Sequence, residues 1–204
     1  SISSNQGVAE MHSIVFSEIT IPWEPDLMEK WMKEFYAKWM SIPYKKDRKE
    51  YKEHPENFGT SMLGIDEEEF DHLNQTLDTP VSKNDFLAGK VCIVYRNGVE
   101  LADKDLIGKT VTCTLYRNLK KSKSFTVSGV TDDSYYTALL GYPPTLIVSD
   151  QVVKAFDAKA FILKTGIRYK KEYDRRTEKE ILAILKKDAN TPVSYTHLRA
   201  HETG

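Results

Sequence analysis

Cysteine is scarce, glycine-rich motifs are missing and no long apolar run occurs, and each absence narrows what this chain can be. Two cysteines in 204 residues cannot build a disulfide scaffold or a cysteine-ligated metal cluster. The longest apolar stretch is a few residues, so no segment of this sequence can span a bilayer as a helix. The opening SISSNQGVAE lacks a charged start followed by an apolar run. A secretory leader is therefore not visible, and export, if it occurs, is directed from outside this sequence. Neither sign of charge dominates: 29 basic and 30 acidic residues nearly cancel and are interspersed, which gives no global footprint for nucleic acid. G-x-S-x-G and G-x-G-x-x-G are both absent. Gly108-Lys109-Thr110 looks like the end of a phosphate loop, but Asp103 stands where that motif needs glycine, and an alternating strand pattern follows instead of a helix.

What is present reads as one globular domain: 40% of residues are hydrophobic, enough to form a core. His12–Ile21, rich in β-branched residues and closed by Pro22, predicts a strand. Pro25 and Asp26 open a helix to Met40 whose apolar face is Leu27, Met28, Trp31, Phe35 and Trp39. Residues 41–57 mix both charge signs with almost no apolar face, which predicts a solvated excursion with a short exposed helix between Pro43 and Pro55. A strand over Phe58–Ile65 follows. Asp66 then caps a short helix, with Glu69 at the capping-box position.

From residue 80 the pattern turns to β. Lys90–Tyr95 predicts a strand and Asn97-Gly98 a turn. Lys109–Tyr116 and Phe125–Val130 predict a hairpin whose connection is the basic loop NLKKSKS. After Gly141-Tyr-Pro-Pro come a strand over Thr145–Val148, a helix capped by Asp150, a strand over Ala160–Thr165 and a last helix over Lys170–Lys187. Tyr173, Thr177, Ile181, Leu182 and Leu185 share one side of that helix. The order predicts an α+β fold: a mixed sheet with packed helices and an inserted β-rich lobe at about residues 80–150.

Cys92 and Cys113 both lie in strand-like runs. Val111, Cys113 and Leu115 alternate with threonines, which turns Cys113 inward. Two buried free thiols are the plain reading; a disulfide between neighbouring strands is the alternative outside the cell. Asp132-Asp133 are adjacent, so an extended strand would point them to opposite faces, a poor arrangement for paired acid–base work. Asn74-Gln-Thr76 has the form of a glycosylation sequon. We expect no catalytic, cofactor-binding or metal-ligating constellation, and the chain reads as no enzyme.

The last residues stand apart. Val193–Thr203, VSYTHLRAHET, is similar to one translated frame of a sequencing-library transposon adapter, and the Pro192 codon fits the flanking bases. Residues 192–204 are accordingly expected to be a non-native tail, and residues 1–191 the domain. That discounts His197, His201 and Glu202, whose spacing would otherwise suggest a zinc site. The remaining histidines, His12, His54 and His72, are far apart in sequence and none has a partner at ligand spacing.

Two ordered stretches carry a family resemblance: Asp105-Leu-Ile-Gly-Lys-Thr-Val111, then Phe125-Thr-Val-Ser-Gly-Val-Thr-Asp-Asp133. The pair resembles the "(D)xxGKTV/I … (F/Y)xVxGVxxD" pattern of the extracytoplasmic, MacB-like core domain of FtsX-like ABC transporter permeases. Phe86–Val94, Thr145–Val148 and Ala160–Lys187 follow in the family's order. The resemblance covers about residues 60–190; the first sixty follow only by layout. It implies a bacterial cell-membrane protein with this domain on the extracytoplasmic face, between membrane helices that couple it to a cytoplasmic ABC ATPase. It also implies contact with an exported peptide, a lipid or a cell-wall partner, a permease homodimer, and no nucleic-acid partner. Gly108 and Gly129 read as structural residues, a left-handed turn and a close approach. The charged insert at 41–57 and the Gly-Tyr-Pro-Pro loop depart from the pattern, so substrate does not carry over. The alternative reading is a free-standing soluble binding or adaptor domain without catalysis.

Overall fold

The first strand, β1 (Val8–Thr20), ends where Pro22 removes a backbone donor. It begins earlier than the β-branched run suggests, and its hydrogen-bonding continues back to Gly7, whose carbonyl accepts from Lys170 N. In this computed structural model residues 1–139, 141–170, 175–187 and 193–194 are described. The chain divides into two compact units: Phe16–Ala160, and Ser1–Val15 together with the chain from Phe161 onward.

In the Phe16–Ala160 unit, helix α1 (Pro25–Trp39) starts under a Glu24 cap whose carboxylate accepts from Asp26 N and Leu27 N. Leu27, Met28, Trp31 and Phe35 are buried as the spacing predicts, and Met32 and Tyr36 join them. Trp39 does not. It is 55% exposed in the last turn, beyond the core's edge, and its Nε1 donates to the Asn97 carbonyl of the Asn97-Gly98 turn at 3.0 Å. Both turn residues have positive φ, as the hairpin signal requires.

Residues 41–57 are for the most part exposed and carry a short helix between Pro43 and Pro55, as predicted, but two of their aromatic side chains turn inward. They form a 3-10 turn (Tyr44–Lys46), helix α2 (Arg48–Glu53) and a second 3-10 turn (Pro55–Asn57). Tyr44 and Tyr51 are buried, and the Tyr51 hydroxyl donates to the Ile21 carbonyl at 2.5 Å. The two rings lie seven residues apart, one face of two helical turns, so a sparse aromatic stripe anchors an otherwise charged segment.

Strand β2 (Thr60–Ile65) is buried throughout. Asp66 caps α3 (Glu67–Thr76) by accepting from Glu69 N at 2.8 Å. The buried Glu69 carboxylate accepts from the Tyr136 hydroxyl at 2.8 Å. A short helix, α4 (Lys83–Leu87), sets Phe86 against Phe70 with stacked rings 4.3 Å apart. Asn74 bridges the α3–α4 connection, accepting from Val81 N at 2.7 Å and donating to Val81 O at 3.0 Å. Its side chain is therefore committed to the fold, which accounts for the sequon-like asparagine.

Strands β3 (Val91–Tyr95), β4 (Thr110–Leu115), β5 (Asn118–Thr131) and β6 (Thr145–Ser149) join β2 in the order β2-β6-β3-β5-β4. The pairings β2–β6 and β3–β5 are parallel, and β3–β6 and β4–β5 antiparallel. The sheet is mixed and the fold α+β. The predicted NLKKSKS loop is a strand: β5 begins at Asn118, and Ser122, Lys123 and Ser124 pair with Thr114, Cys113 and Thr112. A polar strand survives there because Asn118–Ser122 and Ser124 are exposed, while the buried residues of the pair come from β4. Gly129 makes the close approach expected of it: a Cβ there would lie 2.8 Å from Val81 Cγ2. Helix α5 (Asp150–Phe156) packs on β2 and β6, and its N-cap is Ser149, not Asp150. Asp150 is the first helical residue, where an acid suits the dipole.

In the other unit, β1's first half lies beside β7 (Phe161–Tyr169). Ser13 and Thr165 exchange a hydroxyl hydrogen bond at 3.0 Å. Val8, Ile167, Tyr169 and Ile181 of α6 (Arg175–Lys187) form the core, with Ile2 and Leu185 at its margin. Leu182, placed on that face by spacing, is 37% exposed; the stripe is narrower than predicted, centred on Ile181 and Leu185. Tyr173 and the rest of 171–174 lie outside the described residues, as does the side chain of Thr177. Strand β8 (Val193–Ser194) runs parallel to β7, with Val193 opposite Thr165. His197, His201 and Glu202 lie outside the described residues.

Candidate functional site

A cleft of about 520 Å³ opens where β1 and β4 part company. Their pairing runs only through Ile19↔Leu115 and Thr20↔Thr114, pinned by a Thr20–Thr114 hydroxyl contact at 2.9 Å. Pro22 then turns the chain away into α1. Among the described residues this leaves Thr110–Cys113 without a strand partner on β1's side. The connector Ile21–Glu24 with Asp26 and Leu27 forms one wall, and Gly108–Thr112 the other.

Trp23 is the cleft's aromatic wall and is held from behind. Its Nε1 donates to the Tyr44 hydroxyl at 3.1 Å, and Lys52 Nζ and the Arg48 guanidinium carbon lie 4.0 and 5.4 Å from its ring centroid. On the opposite wall, Gly108 has φ +89°, so the turn that its sequence context predicts needs glycine. Gly108 N donates to Val127 O at 2.8 Å, and Lys109 O accepts from Val127 N at 2.8 Å. These bonds launch β4 as a strand, so Gly108-Lys109-Thr110 cannot present helix-start amides to a phosphate.

Ion pairs brace this wall. Lys30 of α1 reaches Asp105 at 3.0 Å and holds its carboxyl below the ordinary value. Arg96 grips Asp132 through Nε and Nη2 at 2.9 and 2.6 Å, while its Nη1 donates to Asp103 at 2.9 Å and to Leu101 O at 2.7 Å. The Asp132 carboxyl is depressed by this hydrogen bond and charge. Asp133 has a different task, accepting from Tyr135 N at 3.0 Å. The two adjacent carboxylates thus serve a clamp and a cap.

The other singled-out residues lie elsewhere. Cys92 and Cys113 are free and buried. Burial raises both thiols, that of Cys113 up to about 12, so neither is a thiolate at neutral pH. His54 Nδ1 contacts Glu56 at 3.1 Å on the surface, His12 Nε2 lies 3.2 Å from Glu10, and His72 belongs to α3. In the cleft the functional groups are the carboxylates of Glu24 and Asp26, the Lys109 amine, the Trp23 indole and the Thr110 and Thr112 hydroxyls. Such a set offers hydrogen bonds, charge and an aromatic plane. The cleft is hidden in the sequence because its walls are distant in the chain; the stop at Pro22 and the turn at Gly108 are its local signals.

No protein-family model matches the sequence, and no curated protein matches it. Among the solved structures that match are two from ABC transporters. One is the extracellular domain of YknZ, a noncanonic ABC-type transporter from Gram-positive bacteria, at 14% identity and TM-score 0.43, covering 93% of this chain and 81% of that one. The other is the periplasmic region of MacB from Actinobacillus actinomycetemcomitans, at 12% identity and TM-score 0.46, covering 92% and 70%. Both are extracytoplasmic parts of ABC transporters. At these values the functional reading rests on the sequence motifs.

Proposed function

We propose that this chain is the extracytoplasmic domain of a bacterial FtsX-like ABC transporter permease, and that it works by contact and not by catalysis. The observation that carries the reading is the motif pair, DLIGKTV followed by FTVSGVTDD. Its two halves fold as consecutive strands of one hairpin, and its acids, Asp105 and Asp132, are the ones taken by Lys30 and Arg96. The motif therefore has a structural purpose: it fixes a rigid wall beside the cleft. A rigid wall suits a domain that must transmit motion without deforming.

In this reading membrane helices outside the sequence relay the strokes of a cytoplasmic ATPase, and the cleft receives a segment of the exported molecule or of a partner protein. The native domain is residues 1–191, and 192–204 are foreign. Among the described residues no helix is long and apolar enough to cross a membrane, and the reading assigns the anchors to sequence on either side.

The uninterrupted gene tests this directly. We expect an apolar segment of about twenty residues upstream of Ser1 and further ones downstream of Asn190. An open reading frame without any such segment contradicts the proposal and favours a free-standing binding domain.

A further inference from the structure

One hairpin carries charge of a single sign. Between Asp105 and Asp132 there are five cations, Lys109, Arg117, Lys120, Lys121 and Lys123, and no acid, in a chain whose 29 basic and 30 acidic residues otherwise balance. Four of the five lie at or near the β4–β5 tip. The strands are joined through Tyr116 and Arg117, with Leu115 opposite Asn118. The next pair on the β4 side is Thr114↔Ser122, so Leu119, Lys120 and Lys121 bulge from the ladder without partners on β4.

The bulge presents apolar surface as well as charge. Leu119 is 50% exposed and Tyr116 45%, an unusual outlay of apolar surface at a hairpin end. The base of the tip is held firmly. Asp157, almost wholly buried, ion-pairs with Arg117 and accepts from Ser17 Oγ at 2.7 Å and Lys159 N at 2.9 Å. Arg117 is thereby a strut, not a spare charge. No carboxylate among the described residues pairs with Lys120 or Lys121, whereas Lys123 is half-buried with its Nζ 5.4 Å from the Phe125 ring centroid; the neighbouring acid, Glu18, lends its backbone carbonyl to Tyr116 N.

We propose that this tip docks on an anionic lipid bilayer, with Leu119 and Tyr116 entering the headgroup region and Lys120 and Lys121 on the lipid phosphates. An exposed leucine and tyrosine ringed by lysines matches the layered chemistry of that interface, apolar below and anionic above. A purely ionic partner would leave Leu119 unexplained, and a purely apolar one the absence of acids. The inference concerns a surface outside the cleft and stands apart from the permease reading. Vesicle binding can fail while the gene still encodes membrane helices, and the reverse.

The test is co-sedimentation of the 204-residue protein with vesicles of equal parts phosphatidylglycerol and phosphatidylcholine, at low and high salt. Binding should occur with the mixed vesicles, weaken in salt and be absent with phosphatidylcholine alone. A lysine near an anionic surface strengthens binding about fivefold, so Lys120→Gln with Lys121→Gln should lower partitioning roughly 25-fold. Lys120→Arg with Lys121→Arg should retain it, and Leu119→Ser should lower it about tenfold. No binding by the unaltered protein overturns the proposal. So does undiminished binding by the glutamine variant, or capture by a soluble polyphosphate while the vesicles are ignored.

Discussion

Residues 41–57 and 117–124 look alike in composition, both short and lysine-rich, yet one folds inward and the other faces out. In the first, acids and bases alternate and are answered within the fold: Lys49 lies 3.9 Å from Glu53 of the same segment, and Arg48 pairs with Glu29 of α1 at 2.9 Å. Two tyrosines at helical spacing then supply enough buried surface to hold the segment against Ile21 and Trp23. In the second all charge is positive, and among the described residues the carboxylate that answers it is Asp157. A stretch of mixed sign can complete itself within the fold. One of single sign leaves its charge for something outside.

The sharpest way to break this contrast is to remove the first segment's anchor. Tyr51→Ala should cost about 3–5 kcal/mol in urea unfolding, the usual range for a large buried ring. Leu119→Ala at the tip should stay within about 0.5 kcal/mol. Equal costs at the two positions would erase the distinction.

Asp157 sharpens it from the other side, as the acid that serves the cationic arm. Asp157→Asn should cost about 1–3 kcal/mol, because Ser17 and Arg117 both lose a charged acceptor in a buried place. A cost near zero would mean that the tip is not braced as described.

The smallest effect tests the first segment's ionic pairing. Partial burial pushes the Glu29 carboxyl up, but the hydrogen bond and charge of Arg48, with Lys33, outweigh it and leave the group below its ordinary value. A depressed carboxyl stabilises the fold above its unfolded value of about 4.3, and that contribution is lost as pH falls through the lower folded value. Arg48→Gln should lose up to about 1 kcal/mol at neutral pH and show a shallower decline in acid. An unchanged acid limb would show that the pair contributes nothing.

How legible the molecule is in its sequence depends on whether a signal is local. The α1 face, the Asp66 cap, the Asn97-Gly98 turn and the Gly129 approach follow from spacing or from a single residue's geometry, and the structure reproduces them. Trp39 departs because periodicity cannot say where a core ends; the next element decides that. Tyr44 and Tyr51 are hidden among charges, since two aromatics in a polar window leave a weak periodic pattern. The basic run in β5 looks like a loop because polarity and turn composition overlap, whereas its register is set by β4. Ser149 displaces Asp150 as the cap through a shift of one residue, finer than composition resolves. Of the cleft, Pro22, Asp26, Gly108 and Lys109 stand out in sequence. Trp23, Glu24 and the open edge of β4 acquire a role only once the fold brings them together.

The proposed placement of the domain outside the cytoplasm is open to one direct measurement. Cys92 and Cys113 are buried and their thiols raised, so this domain's own cysteines give a silent background. Lys49, whose side chain is 85% exposed on α2, can carry a single reporter thiol as Lys49→Cys. With the intact gene expressed in bacterial cells, a membrane-impermeant maleimide should label this position without lysis. Labelling only after the cells are broken would contradict the account.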